Sequence, residues 1–126
     1  MNLVVQPEHS TACGHAVVAM LANTTTERVI AVLGHRRPTT WRELCSMLFA
    51  FGVVCEPEMV PVFSVWDLPH TAVLALPGRG RYGHWVAIEG EEVYDPAGAI
   101  YPTDTLRFLS PSPSDIIMCG AVRGTG

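Results

Sequence analysis

The spacing of apolar and polar positions changes once along this chain, near Gly52. Before that point it is helical. Ala16-Val17-Val18-Ala19-Met20-Leu21 is an almost unbroken apolar run, too continuous for a surface helix, and predicts a buried one. Ser10 or Thr11 is expected to cap its start, a hydroxyl accepting from an otherwise orphan backbone N–H. Thr24-x-x-Glu27 reads as a capping box. Val29, Ile30, Val32 and Leu33 follow as an apolar face, with Gly34 as the stop. The pattern recurs in Thr40-x-x-Glu43. Trp41, Leu44, Leu48 and Phe51 then lie at helical spacing and Gly52 falls at the C′ position.

Beyond Gly52 the texture is that of strands. Val53-Val54-Cys55 is β-like, and Pro57, Pro61 and Pro69 break strands or confine them to edges. Thr71–Leu76 is a short apolar run ended by Pro77-Gly78, a buried strand. A glycine-bounded loop, 78–83, leads to His84–Glu89 and Glu92–Asp95, two strands around Gly90-Glu91 that predict a tight hairpin. Ile100-Tyr101 and Leu106–Leu109 are expected as short elements, 110–114 as a loop, and Ile116–Val122 as a last strand with Gly120 inside it. Helices first and antiparallel strands after indicate an α+β fold. About three helices are expected against a sheet of roughly four to six strands.

Length adds that 1–126 forms one domain with one core. With 48% hydrophobic and 16% charged residues the chain is globular, not disordered. The net charge is -4, and Arg36-Arg37 and Arg79/Arg81 are isolated pairs and not a stripe, which argues against a nucleic-acid partner. No apolar run approaches the ~20 residues that span a bilayer. Residues 2–15 carry no Lys or Arg, so the N-terminus is not read as a signal peptide. Cys13, Cys45, Cys55 and Cys119 form no C-x-x-C pair, which speaks against a zinc ribbon or a thioredoxin motif. A chain this long builds a core without disulfides, so free thiols in a reducing, cytoplasmic compartment are expected, with Cys45 as packing.

The candidate chemistry centres on Cys13. A cysteine in the first turn of a helix meets converging backbone N–H groups and the positive end of the helix dipole, which favour the thiolate. Alone, it reads more readily as a small buried residue, because reactivity needs a partner as well as a dipole. A nucleophile needs a base, and the base an orienter. His84 opens a strand after the glycine-bounded loop, and Asp95 ends the return strand eleven residues later. With a two- or four-residue loop centred on Gly90-Glu91, paired residues sum to 181. Asp95 then faces Val86 and shares a face with His84 as its diagonal neighbour; a three-residue loop breaks that parity. Gln6, just upstream, offers a side-chain amide as oxyanion donor together with the Cys13 backbone N–H. Trp66, Tyr82 and Trp85 are candidates for lining a cleft. A metal site from His9, Cys13 and His15 lacks a standard spacing and a fourth ligand.

Gln6…Cys13-Gly14, followed by Gly83-His84-Trp85-Val86 and Val93-Tyr94-Asp95-Pro96, resembles the papain-like cysteine peptidases. Within them it looks closest to the bacteriocin-processing (C39-like) peptidases that cut after a double-glycine leader. The resemblance covers about Leu3 to Pro96. It implies Cys13 as nucleophile, His84 as general base, Asp95 as orienter and Gln6 in the oxyanion hole, acting on a peptide or protein with no cofactor. Ala12 stands where that family usually carries Asp, the Gln-to-Cys gap is seven where six is usual, and the His-to-Asp gap is short. Two other uses of the scaffold stay open: acyl transfer or amide cleavage through the same thioester, and a peptide-binding module without turnover.

Overall fold

The computed structural model of the chain describes residues 1–7, 10–77, 83–108 and 116–125. Three helices come first: α1 (Cys13–Ala22), α2 (Thr26–Leu33) and α3 (Trp41–Ala50). Strands follow: β1 (Val53–Cys55), β2 (Val60–Val62), β3 (Thr71–Leu76), β4 (His84–Glu89), β5 (Glu92–Asp95), β6 (Ala99–Pro102) and β7 (Ile117–Thr125). They form a seven-stranded sheet ordered β1-β7-β3-β4-β5-β6, with β2 also on β7. Every pairing is antiparallel. This is the expected α+β architecture, with N-terminal helices packed on an antiparallel sheet. The sheet is wider than expected because Val53–Cys55 and Val60–Val62 both pair with β7. The last strand thus lies inside the sheet, between β1 and β3.

Strand alternation gives the sheet two buried faces. One packs Val73, Ala87 and Tyr94 against Val17, Val18, Met20, Leu44 and Leu48 of the helices. The other gathers Leu74, Val86, Ile88, Val93 and Cys119 under Leu68, Tyr101, Leu106 and Phe108. Residues 106–108 are not a strand but part of this cover; Leu109 and the loop 110–114 lie outside the described residues. Pro61 sits within β2, which among the described residues pairs with β7 alone, an edge position that a proline tolerates.

Two glycines allow the helices to come close. A Cβ at Gly14 would lie 2.0 Å from Thr39 Oγ1 and 3.2 Å from Trp85 Cδ1, and one at Gly120 2.2 Å from the Trp41 ring. Trp41 and Trp85 then meet with ring centroids 6.3 Å apart. α3 and the start of α1 are thereby seated on the sheet beside His84.

Two helix starts differ from the sequence reading. The N-cap of α1 is Ala12, without a side-chain cap bond. Ser10 Oγ instead accepts from the Ala12 N–H at 3.4 Å, and Thr11 Oγ1 donates to the Arg36 carbonyl at 2.9 Å. The cap of α2 is Thr25, not Thr24; its hydroxyl accepts from the Arg28 N–H at 3.2 Å. Asn23 ends α1 in the left-handed region, φ 54°, and that turn uses Thr24, whose N–H bonds the Ala19 carbonyl. Val32 is 55% exposed, so the apolar face of α2 is narrower than its sequence suggests. The Thr40–Glu43 capping box forms in both directions, and Gly52 follows the α3 cap at φ 84°.

Candidate active site

β4 and β5 join through Gly90 and Glu91 with Ala87 opposite Tyr94, Ile88 opposite Val93 and Glu89 opposite Glu92. Those pairs sum to 181, the register that places His84 and Asp95 on one face. Gly90 takes φ 62°, the left-handed value a two-residue turn demands. The diagonal contact forms: His84 Nε2 lies 2.6 Å from Asp95 Oδ1. Asp95 is 2% exposed, yet its carboxylate is well supplied with donors. The Ala97 N–H donates to Oδ1 at 2.9 Å and the Tyr101 hydroxyl to Oδ2 at 3.0 Å. Burial pushes the Asp95 acid upward, and the bonds from His84, Ala97 and Tyr101 outweigh it, holding it at about 2.

Because α1 packs on β4, the first turn of the helix meets the first residue of the strand. The Cys13 thiol and the His84 ring are hydrogen-bonded, while Nε2 of that ring faces Asp95. Burial works against ionising Cys13. The His84 bond, backbone N–H groups of Trp85 and Gly14, and the charge of His84 prevail, and the thiol sits below its ordinary value. Burial likewise opposes charge on His84, but the bonds to Asp95 and Cys13 raise it to about 9. The two groups therefore favour a thiolate beside an imidazolium. The open N-terminus of α1, with no side-chain cap, leaves backbone N–H groups to serve the sulfur.

Gln6 is half-buried. Its backbone N–H donates to the Pro96 carbonyl at 2.8 Å, which ties the N-terminal segment next to Asp95. Its amide Nε2 donates to the Ser10 carbonyl at 3.0 Å, and Oε1 is buried with no bond partner among the described residues. One amide hydrogen is thus committed to the turn that leads into α1.

Trp85 is not a free cleft aromatic: its ring N–H donates to the Thr39 carbonyl at 3.2 Å. Trp66 is 91% exposed and borders a cavity of about 730 Å³ with Tyr101, Ile100 and Glu92. Tyr82 lies outside the described residues, as does His9 of the suggested metal set. His15 is turned into the protein, with Nε2 2.8 Å from the His35 carbonyl. Among the described residues no three His, Cys, Asp or Glu side chains cluster as metal ligands. The residue that sequence reasoning missed is Tyr101. Its only sequence signal is its place two positions beyond Ala99, the residue that pairs with Asp95, and that pairing is not visible before the fold is known.

No protein-family model matches the chain, and no curated protein matches it either. Among solved structures it is similar to the peptidase domain of Streptococcus ComA, described as a bi-functional ABC transporter involved in a quorum-sensing pathway. The TM-score is 0.61 at 16% identity, over 93% of this chain and 94% of that one. At that identity the likeness establishes a shared fold, an α+β architecture with N-terminal helices packed on an antiparallel sheet. Among the described residues no single helix is long and apolar enough to cross a membrane.

Proposed function

We propose that this chain, as one domain over 1–126, is a thiol-dependent hydrolase that cleaves a peptide or amide bond through Cys13, His84 and Asp95. Cys13 thiolate attacks the carbonyl carbon. The imidazolium of His84 gives its proton to the leaving amine, then takes one from the water that releases the acyl group. Asp95 fixes the ring so that Nδ1 faces the sulfur, and favours the imidazolium. The amide of Gln6 and the Cys13 N–H receive the oxyanion. The substrate is a peptide or protein segment, the reaction needs no cofactor, and free thiols suit a reducing, cytoplasmic setting.

The observation that carries this reading is the hydrogen-bonded sequence from Cys13 through His84 to Asp95, with the thiol lowered and the imidazole raised. A buried cysteine retained for packing alone is pushed the other way, as Cys119 is, to about 11. The test is alkylation by iodoacetamide near pH 6 followed by peptide mapping, paired with peptide-library cleavage by the wild type and by Cys13→Ala. Cys13 should be labelled well ahead of Cys45, Cys55 and Cys119, and cleavage should disappear in the variant. Equal labelling of the four thiols, or turnover that survives Cys13→Ala, overturns the mechanism.

A further inference from the structure

Outside that site, two cysteine sulfurs are in contact. Cys45 lies midway along α3 and Cys55 ends β1, and their Sγ atoms are 3.2 Å apart, the Cys55 thiol donating to Cys45. Both are half-buried free thiols. Cys45 also reaches the Glu56 carbonyl at 3.6 Å. The approach is built by the fold: the register of β1 against β7 shifts between Val54 and Cys55, and such a bulge re-aims a side chain. β1 is three residues long and sits at the sheet's edge, so a small inward movement of Cys55 disturbs one ladder only.

We propose that Cys45 and Cys55 form a reversible dithiol–disulfide site, separate from Cys13, that closes by exchange with a small-molecule disulfide and pins the edge strand to α3. Cys55 thiolate attacks one sulfur of the small disulfide. A mixed disulfide forms and one small thiolate leaves. Cys45, its proton passing to solvent, attacks Cys55 Sγ, the mixed S–S bond breaks and the second small thiol leaves. The protein loses two electrons and two protons, and one disulfide is reduced to two thiols. The order follows from the surroundings. Cys45 is held within α3 and against the Glu56 carbonyl, and burial raises its thiol, whereas Cys55 sits at the end of a short edge strand that can move. Cys45 therefore resolves and does not initiate.

The experiment uses the Cys13→Ala chain, which removes the most reactive thiol, with oxidised glutathione as the probe. Samples are taken folded and in urea, alkylated, and mapped without reduction. The folded protein should give a Cys45–Cys55 link that dithiothreitol reverses, with both sulfurs lost to alkylation together. It should form about tenfold or more faster than in urea, because folding raises the effective concentration of one sulfur at the other. Cys45→Ser in the same background should stop at a stable glutathione adduct on Cys55. A folded wild-type pair that stops at that adduct, stays fully alkylatable, or links no faster than in urea overturns the proposal.

Discussion

His84 and Asp95 are bonded at 2.6 Å although neither is the other's direct partner across the β4–β5 ladder. The contact is diagonal, held by the parity of a two-residue turn. It also has a pH signature. Asp95 is depressed from 3.8 to about 2, so its contribution is present above 3.8 and is lost as pH falls toward 2. His84 is raised from 6.5 to about 9, so its contribution is complete below 6.5 and is lost as pH rises through about 9. The stability advantage of wild type over Asp95→Asn should therefore be greatest between pH 3.8 and 6.5 and fall on both sides. Thermal melts of the two proteins across pH check this; a difference that is flat from pH 2 to 9 sinks it.

The same shifts set the expected rate profile. Activity should rise as pH passes the lowered Cys13 value and fall as it passes about 9, where His84 loses its proton. The limbs belong to the thiol–imidazole pair and not to either group alone. A profile of kcat/KM that climbs through an ordinary cysteine value near 9.0 and keeps climbing contradicts the ion pair.

Tyr101 acts through Asp95. Tyr101→Phe removes the donor to Oδ2 and leaves a buried carboxylate oxygen with one bond fewer. Asp95 should rise from its depressed value and hold the His84 ring less firmly. The expected result is roughly tenfold lower kcat with little change in KM. The alkaline limb should also move to lower pH, which loss of packing by itself does not produce. An unmoved limb removes Tyr101 from the positioning of the acid.

Gly120 tests the packing that seats α3. A Cβ there would lie within 2.9 Å of three atoms of the Trp41 ring, and an indole beside Trp85 has little room to shift. Gly120→Ala should destabilise by about 1–3 kcal/mol. It should also slow turnover by displacing Trp85, the neighbour of His84. Urea denaturation gives the first quantity and peptide cleavage the second. A neutral Gly120→Ala means the helix–sheet contact is slack.

What was legible in the sequence was local. The Thr40 box, the Gly34 and Gly52 stops and the β4–β5 register each depend on a handful of adjacent residues, and each forms as read. The α2 cap was missed by one residue because Thr24, Thr25 and Thr26 are interchangeable until Asn23 takes the left-handed position. The α1 cap was missed because the Ser10 and Thr11 hydroxyls bond elsewhere. Insertion of β7 between β1 and β3, and delivery of Tyr101 to Asp95, depend on pairings between distant segments. No periodicity records these. The contact between Cys45 and Cys55 is of the same kind, since a bulge in a three-residue strand sets its direction.

Gln6 is the residue on which the geometry changes the expectation most. From sequence it is offered as an oxyanion donor, a role that accounts for a cost in rate alone. In the structure it is half-buried, bonded through its backbone to Pro96 and through its amide to Ser10, with Oε1 enclosed. Gln6→Ala should therefore do two things. It should lower kcat about a hundredfold with KM nearly unchanged, because an oxyanion donor acts on the transition state alone. It should also cost about 1 kcal/mol of stability through the lost bond to Ser10. Gln6→Glu separates these effects. The carboxylate is close in shape but cannot donate when ionised, and it would face the Ser10 carbonyl, so kcat should fall at least as far as in Gln6→Ala. If both variants lose stability while kcat stays at the wild-type level, the amide is an anchor for the turn before Cys13, and the oxyanion is received by backbone N–H groups at the start of α1.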